Sequence, residues 1–472
     1  MGIKSRFYVD IMDLHNAVTG SCHLCVVKFP DGDSLKFLVD CGLFQDERSE
    51  SLNSKLPFKA ENIGFCLVTH NHVDHTGRIP LLFKNGFRGI VYASESTSEL
   101  MRHGLYDSYR ILKSKAKLLG ESPLYSEEDV ENALYARVFC NYKKTIKVHE
   151  HVRVTFFRNA HIPGAAIIFV QITYPGEENI NLVFSGDYKK VSEFSHESVV
   201  PKWVLDLPVT LICESTYGYE ESKDVVHNFD NNILKALEEG KTVLIPSFSL
   251  ERYQKILYRL RCLQNEGKLD VNIPIYLDGK LALTYTNMYL RGILDIKPEM
   301  IDFLPKNICA VDKVLRRTLL YEDNTQKIIV TSSGKGSYGP ARSYIQQYIG
   351  NPNILIHFTG YCAEGTLGRR IKDHPKGEDI VVSGIVAKKQ ADVEYTSEFS
   401  AHAKADELIE FIQGFHNLNL VLLNHGDPEV KELFAKRVLA EVGTKQVGIL
   451  SSDYVFRIGP WGFIKSIPTK FI

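Results

Sequence analysis

The segment Phe65-Cys-Leu-Val-Thr-His-Asn-His-Val-Asp-His-Thr-Gly-Arg-Ile-Pro80 holds four metal-binding side chains within six residues: His70, His72, Asp74 and His75. It follows a short apolar run, residues 63–69, that is typical of a buried strand. In a loop, residues two apart can reach one ion while the next two turn toward another. Imidazole and carboxylate ligands suit zinc with an open position for water. A solvated polar loop is the alternative, but such loops are rarely this rich in histidine. The segment therefore predicts a two-metal hydrolytic centre.

Composition limits the class of protein. The 472 residues are enough for two or three domains, and 44% hydrophobic with 24% charged residues is typical of soluble globular proteins. The formal net charge of -1 gives no overall attraction to nucleic acid, so a polyanion would need a local basic groove. Nine cysteines without a pairing pattern favour a reducing compartment. Without a signal peptide or a membrane-length apolar run, we expect a cytoplasmic protein that does not bind membranes.

Further ligand-type residues follow apolar strands. Asp40 ends a strand that begins after the turn Pro30-Asp-Gly-Asp33, His161 follows the apolar run 152–157, and Asp187 follows the run 181–185. An isolated Asp or His in such a place is usually structural. The repetition of the layout indicates that these side chains converge at one rim of a sheet sandwich. Two metal ions need about seven or eight protein ligands, and His161 and Asp187 supply two that the cluster at residues 70–75 lacks.

From about residue 207 strands alternate with helices, which indicates a mostly parallel α/β domain. The sequence predicts three segments: residues 1–206, an inserted domain at 207–368, and a return to the first domain at 369–472. Within the insert, Ser332-Ser-Gly-Lys-Gly-Ser337 is a glycine-rich turn without the spacing of a nucleotide-binding phosphate loop. Such a turn can still approach a phosphodiester backbone. In the return segment, His402 precedes an amphipathic helix and His425 follows an apolar strand.

Taken together, these residues resemble the motifs of the metallo-β-lactamase superfamily and, within it, of the β-CASP nucleases. The similarity is to the prokaryotic relatives of the nuclease subunit of the cleavage and polyadenylation specificity factor. It implies an α/β fold, a metallo-β-lactamase αββα sandwich with an inserted parallel α/β β-CASP domain. The matching motifs, in chain order, are Asp40, the cluster from His70 to His75, His161, Asp187, Glu214 in Glu-Ser-Thr-Tyr-Gly, the segment Gly360 to Arg370, and His402 in Phe-Ser-Ala-His-Ala.

The resemblance also implies a ligand set. His70, His72 and His161 would bind one zinc ion. The second of the two Zn²⁺ ions would be bound by Asp74, His75 and His402, and Asp187 would bridge the pair. A water between the ions would supply hydroxide for in-line attack on phosphorus. Asp40 and Glu214 would orient ligands from outside, and Asp74 is a candidate for accepting the proton of the water.

One position departs from the family pattern. Eukaryotic members carry a histidine at the end of the middle motif, where this chain has Arg370. Arginine holds phosphate well but stays charged, so Arg370 is expected to stabilise charge in the transition state rather than to donate a proton. The other candidate substrate contacts are Arg252, Lys335, Arg342, Arg369 and His425.

The resulting expectation is a zinc-dependent ribonuclease, an endonuclease acting on single-stranded RNA in processing or decay. A DNA nuclease is one alternative, but DNA-processing members replace the last-motif histidine with valine, and this chain has His402. A non-catalytic RNA-binding scaffold is another, and it would require broken ligands, of which the sequence shows none. The near-neutral charge indicates modest RNA affinity for one chain, so a partner protein or a homodimer is expected to extend the groove.

Overall fold

The computed structural model describes residues 7–14, 18–45, 49–360, 362, 365–444 and 446–469, so Tyr361, Ala363 and Glu364 of the middle motif lie outside it. The strands, in chain order, are β1 (Tyr8–Asp13), β2 (His23–Lys28), β3 (Ser34–Val39), β4 (Phe65–Leu67), β5 (Ile90–Ser94), β6 (Arg137–Cys140), β7 (Thr145–His149), β8 (Val152–Arg158), β9 (Ala166–Ile172), β10 (Ile180–Phe184), β11 (Pro208–Glu214), β12 (Thr242–Pro246), β13 (Ile275–Asp278), β14 (Ile308–Ala310), β15 (Ile328–Thr331), β16 (Ile354–Phe358), β17 (Asp379–Val382), β18 (Ile385–Lys388), β19 (Asp392–Tyr395), β20 (Asn417–Asn424), β21 (Val447–Ile449), β22 (Tyr454–Gly459) and β23 (Gly462–Pro468). The α-helices are α1 (Val73–Thr76), α2 (Ile79–Lys84), α3 (Glu95–Leu119), α4 (Glu127–Tyr135), α5 (Lys202–Leu205), α6 (Phe229–Glu238), α7 (Arg252–Asn265), α8 (Lys280–Leu290), α9 (Lys313–Tyr321), α10 (Gly339–Tyr348), α11 (Leu367–Asp373), α12 (Ala405–Gln413) and α13 (Pro428–Glu441).

The chain forms two compact units. The first combines Met1–Ser222 with His402–Ile472, and the second is Lys223–Ala401. These limits differ from the boundaries near residues 207 and 368 that the sequence suggested. β11 pairs with β10 and β20, which keeps it in the first unit, and β19 pairs with β16, which keeps it in the second. Strand pairing, which the sequence does not display directly, therefore moves both limits toward the C-terminus.

The first unit contains two sheets. One has the order β23-β22-β1-β2-β3-β4-β5-β6 and the other β21-β20-β11-β10-β9-β8-β7. The inner faces share a core that includes Val9 and Phe37 from one sheet and Phe156 and Ile168 from the other. Separate apolar clusters join the outer face of the first sheet to α2, α3 and α4, and that of the second to α12 and α13. The predicted αββα sandwich is confirmed.

The second unit is built on one six-stranded sheet of order β14-β13-β15-β12-β16-β19, in which every strand pair is parallel. All five residues of β16 are buried, as expected for a parallel strand covered by helices on both faces. A small antiparallel sheet of β17 and β18 belongs to the same unit. The predicted parallel α/β insert is confirmed.

The two sheets of the first unit place the candidate residues at strand ends. Asp40 follows β3, His161 follows β8, Asp187 follows β10, Glu214 ends β11, and His425 follows β20. β10, β11 and β20 are mutually parallel neighbours, so their carboxyl ends lie at one edge of the sheet. None of the helices among the described residues is both apolar enough and long enough to cross a bilayer.

Candidate metal centre

The cluster between β4 and α2 divides its side chains between two directions. The backbone is extended at His72, with φ -74° and ψ 150°, and α1 begins at the next residue. Extended backbone places His70 and His72 on one side, whereas Asp74 and His75 lie on the first helical turn. A Cβ at Gly42 would lie 1.6 Å from the carbonyl oxygen of Asp74, so only glycine allows the chain to pass this turn.

Four side chains form a first set of donors. Nδ1 of His72 lies 3.1 Å from Nε2 of His70 and 3.0 Å from Nε2 of His161. Oδ2 of Asp187 lies 3.5 Å from Nε2 of His70 and 3.6 Å from Nε2 of His161. Donors around one tetrahedral zinc, at bonds of about 2.0–2.1 Å, are roughly 3.3 Å apart. The first set therefore has the spacing of ligands that share one cation.

A second set of donors lies on the other side of Asp187. Nε2 of His75 is 3.3 Å from Nε2 of His425, and Nε2 of His425 is 3.5 Å from Oδ2 of Asp74. Oδ1 of Asp187 lies 3.3 Å from Nε2 of His75 and 3.6 Å from Nε2 of His425. The two oxygens of Asp187 thus face different sets.

His402 lies between Glu214 and Asp187. Its Nδ1 is 3.1 Å from a carboxylate oxygen of Glu214, and its Nε2 is 3.8 Å from Oδ2 of Asp187. The group that contains Asp74 and His75 is completed by His425 instead. The distances favour His425 as the further member of the second set, whereas the sequence assigned His402 to this set and His425 to the substrate. Which of the two histidines binds the ion stays a prediction. His425 reaches the second set because it follows β20 in a left-handed conformation, φ 45°, which turns its ring toward His75.

Hydrogen bonds from outside fix the imidazole rings. Asp40 Oδ2 lies 2.8 Å from Nδ1 of His75, and Asp40 itself has a left-handed backbone, φ 62°. The hydroxyl of Thr69 donates to Asp40 Oδ2 at 2.7 Å and lies 3.0 Å from Nδ1 of His70. The hydroxyl of Thr216 lies 3.0 Å from Nδ1 of His425. In each ring the other nitrogen, Nε2, is left to face the donors described above.

Sequence reasoning missed Thr69, Thr216 and Asn159 as parts of the site. Asn159 accepts the backbone N–H of His161 at 3.0 Å and donates to the carbonyl oxygens of Ser185 and Asp187 at 2.9 and 2.6 Å. The only signal in the sequence is that each of the three lies within two residues of a ligand-type side chain.

Burial keeps the first set of histidines neutral. Burial, together with the neighbouring imidazole of His75, lowers the pKa of His70 to about 4. Burial and His70 lower the pKa of His72 to about 3, and the pKa of His161 is lowered well below its usual value by burial and by His70 and His402. Neutral imidazole is the form that binds a metal ion.

The second set is dominated by carboxylates. Burial alone would lower the pKa of His75, but the charges of Asp187 and Asp40 outweigh it and raise that pKa. The pKa of His425 is also raised, because Asp187 and Asp74 outweigh its burial. Burial opposes ionisation of Asp187, yet the surrounding histidines, His425 and His75 foremost, hold its pKa well below the usual value. A charged carboxylate therefore lies between two groups of nitrogen donors.

The donor set fits a metal ion. Oδ1 of Asp187 is buried and accepts no hydrogen bond from the described residues, although two imidazole nitrogens lie within 3.6 Å. A buried anionic oxygen in this position is costly unless a cation neutralises it. Imidazole nitrogens with carboxylate oxygens are the ligands that zinc takes in hydrolytic sites.

Comparison with known families agrees with this geometry. The family model described as "Metallo-beta-lactamase superfamily" matches residues 20–222, "Beta-Casp domain" matches 253–371, and "Zn-dependent metallo-hydrolase RNA specificity domain" matches 386–449. The chain belongs to the β-CASP group of the metallo-β-lactamase superfamily. The predicted family and its metal-dependent chemistry are confirmed.

Three curated proteins are similar to this chain over most of its length. Ribonuclease TTHA0252 of Thermus thermophilus is 29% identical over 87% of this chain and 91% of its own length. An RNase J-like protein of Methanocaldococcus jannaschii is 28% identical over 83% of this chain and 87% of its own length. Transcription termination factor FttA of Methanosarcina mazei is 27% identical over 83% of this chain and 63% of its own length.

The basic residues predicted to contact phosphate all lie in the second unit of this β-CASP protein. The guanidinium of Arg252 lies 4.9 Å from the ring centroid of Phe248, and its Nε donates to the carbonyl oxygen of Phe399 at 3.4 Å. Arg342 donates to Oγ of Ser383 at 2.6 Å. Three further residues complete this set: Lys335 in the turn between β15 and α10, Arg369 paired with Asp373, and Arg370 with an exposed side chain on α11. Contact of these residues with phosphate stays a prediction.

Proposed function

We propose that this chain is a zinc-dependent ribonuclease that hydrolyses phosphodiester bonds of single-stranded RNA with two zinc ions per chain. The observation that carries the proposal is Asp187, whose Oδ2 faces His70 and His161 while its Oδ1 faces His75 and His425. A carboxylate shared by two donor sets is what a two-metal centre acting on one phosphate requires. The matched RNA specificity domain and the relatives named as ribonucleases support RNA as the substrate.

The distances support one division of the ligands between the two ions. His70, His72, His161 and Asp187 would hold one zinc ion, and Asp74, His75, His425 and Asp187 the other. When bound, the ions supply Lewis-acid stabilisation of the phosphoryl oxygens and lower the pKa of a bound water toward 7.

The surrounding side chains keep the ligands oriented. Asp40 accepts from Nδ1 of His75, so the lone pair of Nε2 points inward, and Thr69 and Thr216 fix the rings of His70 and His425 in the same way. Asp74 is half-buried, and it is both a proposed ligand and the proposed acceptor of the proton of the attacking water.

His402 is the group best placed to give a proton to the leaving oxygen. The carboxylate of Glu214 accepts the N–H of its Nδ1, which leaves Nε2 as the nitrogen that gives the proton. After donation, the ring keeps the Nδ1–H that bonds Glu214. Arg370 is always charged, so we assign it phosphate binding and not proton transfer.

Two finer expectations, a homodimer and a cytoplasmic location, stay predictions. The first is tested by the molar mass of the protein in solution at the concentrations used for cleavage assays. The second is tested by fractionation of cells that express the tagged protein.

The test of function uses end-labelled RNA and DNA of one sequence, protein stripped of metal by a chelator, and zinc added back. We expect RNA cleavage that requires the metal and is lost in His72→Ala. The matched control is His149→Ala, which removes a histidine of the same unit that contacts Phe29 and not the donor sets. Elemental analysis of the same preparations should give two zinc ions for the parent.

Other outcomes would overturn this proposal in different ways. Cleavage of DNA but not RNA would favour the DNA nuclease, and RNA binding without any cleavage would favour the scaffold. If His72→Ala cut RNA as fast as the parent, the metal-dependent mechanism would be wrong.

A further inference from the structure

A polar cavity adjoins the Asp40–His75 pair. Its polar lining consists of Ser21, His23, Asp40, Thr69, His75 and Asn424. A neighbouring cavity is lined by Asp13, Ser21, Asn424 and His425, among others. His23 and Asn424 are therefore buried next to residues on which the metal centre depends, although neither belongs to the donor sets described above.

Three polar atoms along these cavities lack a partner. Oγ of Ser21, Nδ1 of His23 and Oδ1 of Asn424 are buried and make no hydrogen bond with any described residue. Buried polar cavities with several such atoms are where proteins hold ordered water. The three unpaired atoms therefore belong to one small polar region.

The side chain of His23 is tied to Asn424. Nδ2 of Asn424 donates to Nε2 of His23 at 2.9 Å, which requires that Nε2 carries no proton. Nδ1 then carries the proton of the neutral ring and faces Asp13, whose Oδ1 lies 3.9 Å away. Burial lowers the pKa of His23 to about 4, so the ring stays a neutral acceptor at physiological pH.

Asn424 immediately precedes the proposed ligand His425, which has φ 45°. On one side of this turn, the hydroxyl of Ser215 donates to the carbonyl oxygen of Asn424 at 2.7 Å, and the backbone N–H of Ser215 donates to the carbonyl oxygen of His425 at 3.2 Å. On the other side, the hydrogen bond to His23 holds the Asn424 side chain. A left-handed conformation at a residue other than glycine is strained and persists only when its surroundings hold it.

We propose that His23 is a positioning residue of the metal centre. By accepting from Asn424 it fixes the turn at the end of β20 and keeps Nε2 of His425 against Asp74, His75 and Asp187. This inference rests on the proposed function, because it takes His425 as a ligand of the second ion. His23 touches neither substrate nor metal and acts only through Asn424.

The test compares His23→Leu, which removes the acceptor, with His23→Gln, whose amide oxygen can still accept from Asn424. The matched control is His357→Leu in the second unit. His357 is also buried, its Nε2 also lies against an asparagine amide, Nδ2 of Asn232 at 3.3 Å, and its pKa is also about 4. The readouts are zinc stoichiometry and affinity by chelator competition, the visible spectrum of the cobalt-substituted protein, and thermal stability.

We expect the parent to bind two ions and His23→Leu to bind the second about 10- to 100-fold more weakly, the range found when residues that orient ligands are lost. His23→Gln should restore most of that affinity. His357→Leu should lower stability without changing the affinity for either ion. The cobalt spectrum should change in His23→Leu and remain like that of the parent in His357→Leu.

The proposal is overturned if His23→Leu binds both ions as tightly as the parent, or if the two leucine variants lose metal equally. Should His23→Leu fail to fold, Asn424→Ala removes the same hydrogen bond from its donor side and decides the matter by the same readouts. The zinc content of the parent protein shows which of the two proposals fails. Fewer than two ions in the parent refutes the two-metal proposal and this inference together, whereas two ions with an unaffected His23→Leu refutes only the role of His23.

Discussion

Nδ1 of His402 lies 3.1 Å from one carboxylate oxygen of Glu214 and 3.2 Å from the other. Glu214 is completely buried at the end of β11, and one of its oxygens also accepts the backbone N–H of Tyr188. The ring of Tyr217 packs against that of His402 at 5.9 Å between centroids, and Nζ of Lys404 lies over the ring of Tyr217. The imidazole is therefore held in one orientation by a charge and by packing, as a proton donor needs to be.

Glu214→Gln should reduce RNA cleavage by about 100-fold or more, because a neutral amide replaces the carboxylate that holds Nδ1 of His402. Two bound zinc ions should remain, since Glu214 is not in either proposed ligand set. Single-turnover cleavage and elemental analysis measure the two quantities. Glu410→Gln, which removes the exposed partner of Lys190, is the control and should change neither. Retention of full activity in Glu214→Gln would remove His402 from the mechanism.

The two histidines that follow the insert should differ in metal content. His425→Ala should lose one of two zinc ions, because Nε2 of His425 lies within 3.6 Å of His75, Asp74 and Asp187. His402→Ala should keep both ions and lose activity. Zinc per chain, measured after dialysis at fixed free zinc, distinguishes them. The opposite pattern would restore the assignment of His402 to the second ion that the sequence suggested.

That difference shows what sequence reasoning could reach. His70, His72, Asp74 and His75 could be predicted because they occupy one strand-to-helix junction, where spacing alone decides which way each side chain points. The choice between His402 and His425 could not, because both follow the insert and both stand beside small residues. It depends on the left-handed backbone of His425 and on Glu214 reaching His402. Both features arise only in the folded protein, so no local sequence pattern predicts them.

The fold likewise has parts that could be predicted from the sequence and parts that could not. The αββα sandwich and the parallel insert followed from motif order and from the alternation of strands and helices. The limits of the units did not, because the residues of β11 and of β19 do not by themselves show which sheet each strand joins. Their partners, β20 for one and β16 for the other, are distant in sequence. Pairing between such distant strands is decided by the assembled core.

Gly42→Ala should abolish metal binding in the first unit. The added methyl group would overlap the carbonyl oxygen of Asp74 at 1.6 Å, so the turn that carries Asp74 and His75 must move. Zinc content and thermal stability check this, and both should fall. Gly350→Ala is the control, because its Cβ would meet its nearest neighbour, the carbonyl oxygen of Lys388, at an ordinary 3.6 Å. Normal zinc content in Gly42→Ala would show that the turn can shift without consequence.

The second unit should lose stability in mild acid because of His357. Burial lowers the pKa of this histidine to about 4, whereas in the unfolded chain it is about 6.5. As the pH falls from 7 toward 4, the unfolded state therefore binds a proton that the folded state does not, and the free energy of unfolding decreases. The expected loss at pH 5 is about 2 kcal/mol from this residue alone. Hydrogen exchange of the β16 amides, corrected for the intrinsic effect of pH, measures this loss.

The variant His357→Leu should be less stable than the parent at pH 7, because Nδ2 of Asn232 loses its acceptor. Its stability should depend on pH less than that of the parent, by that amount. An equal pH dependence in both proteins would mean that His357 is protonated in the folded unit.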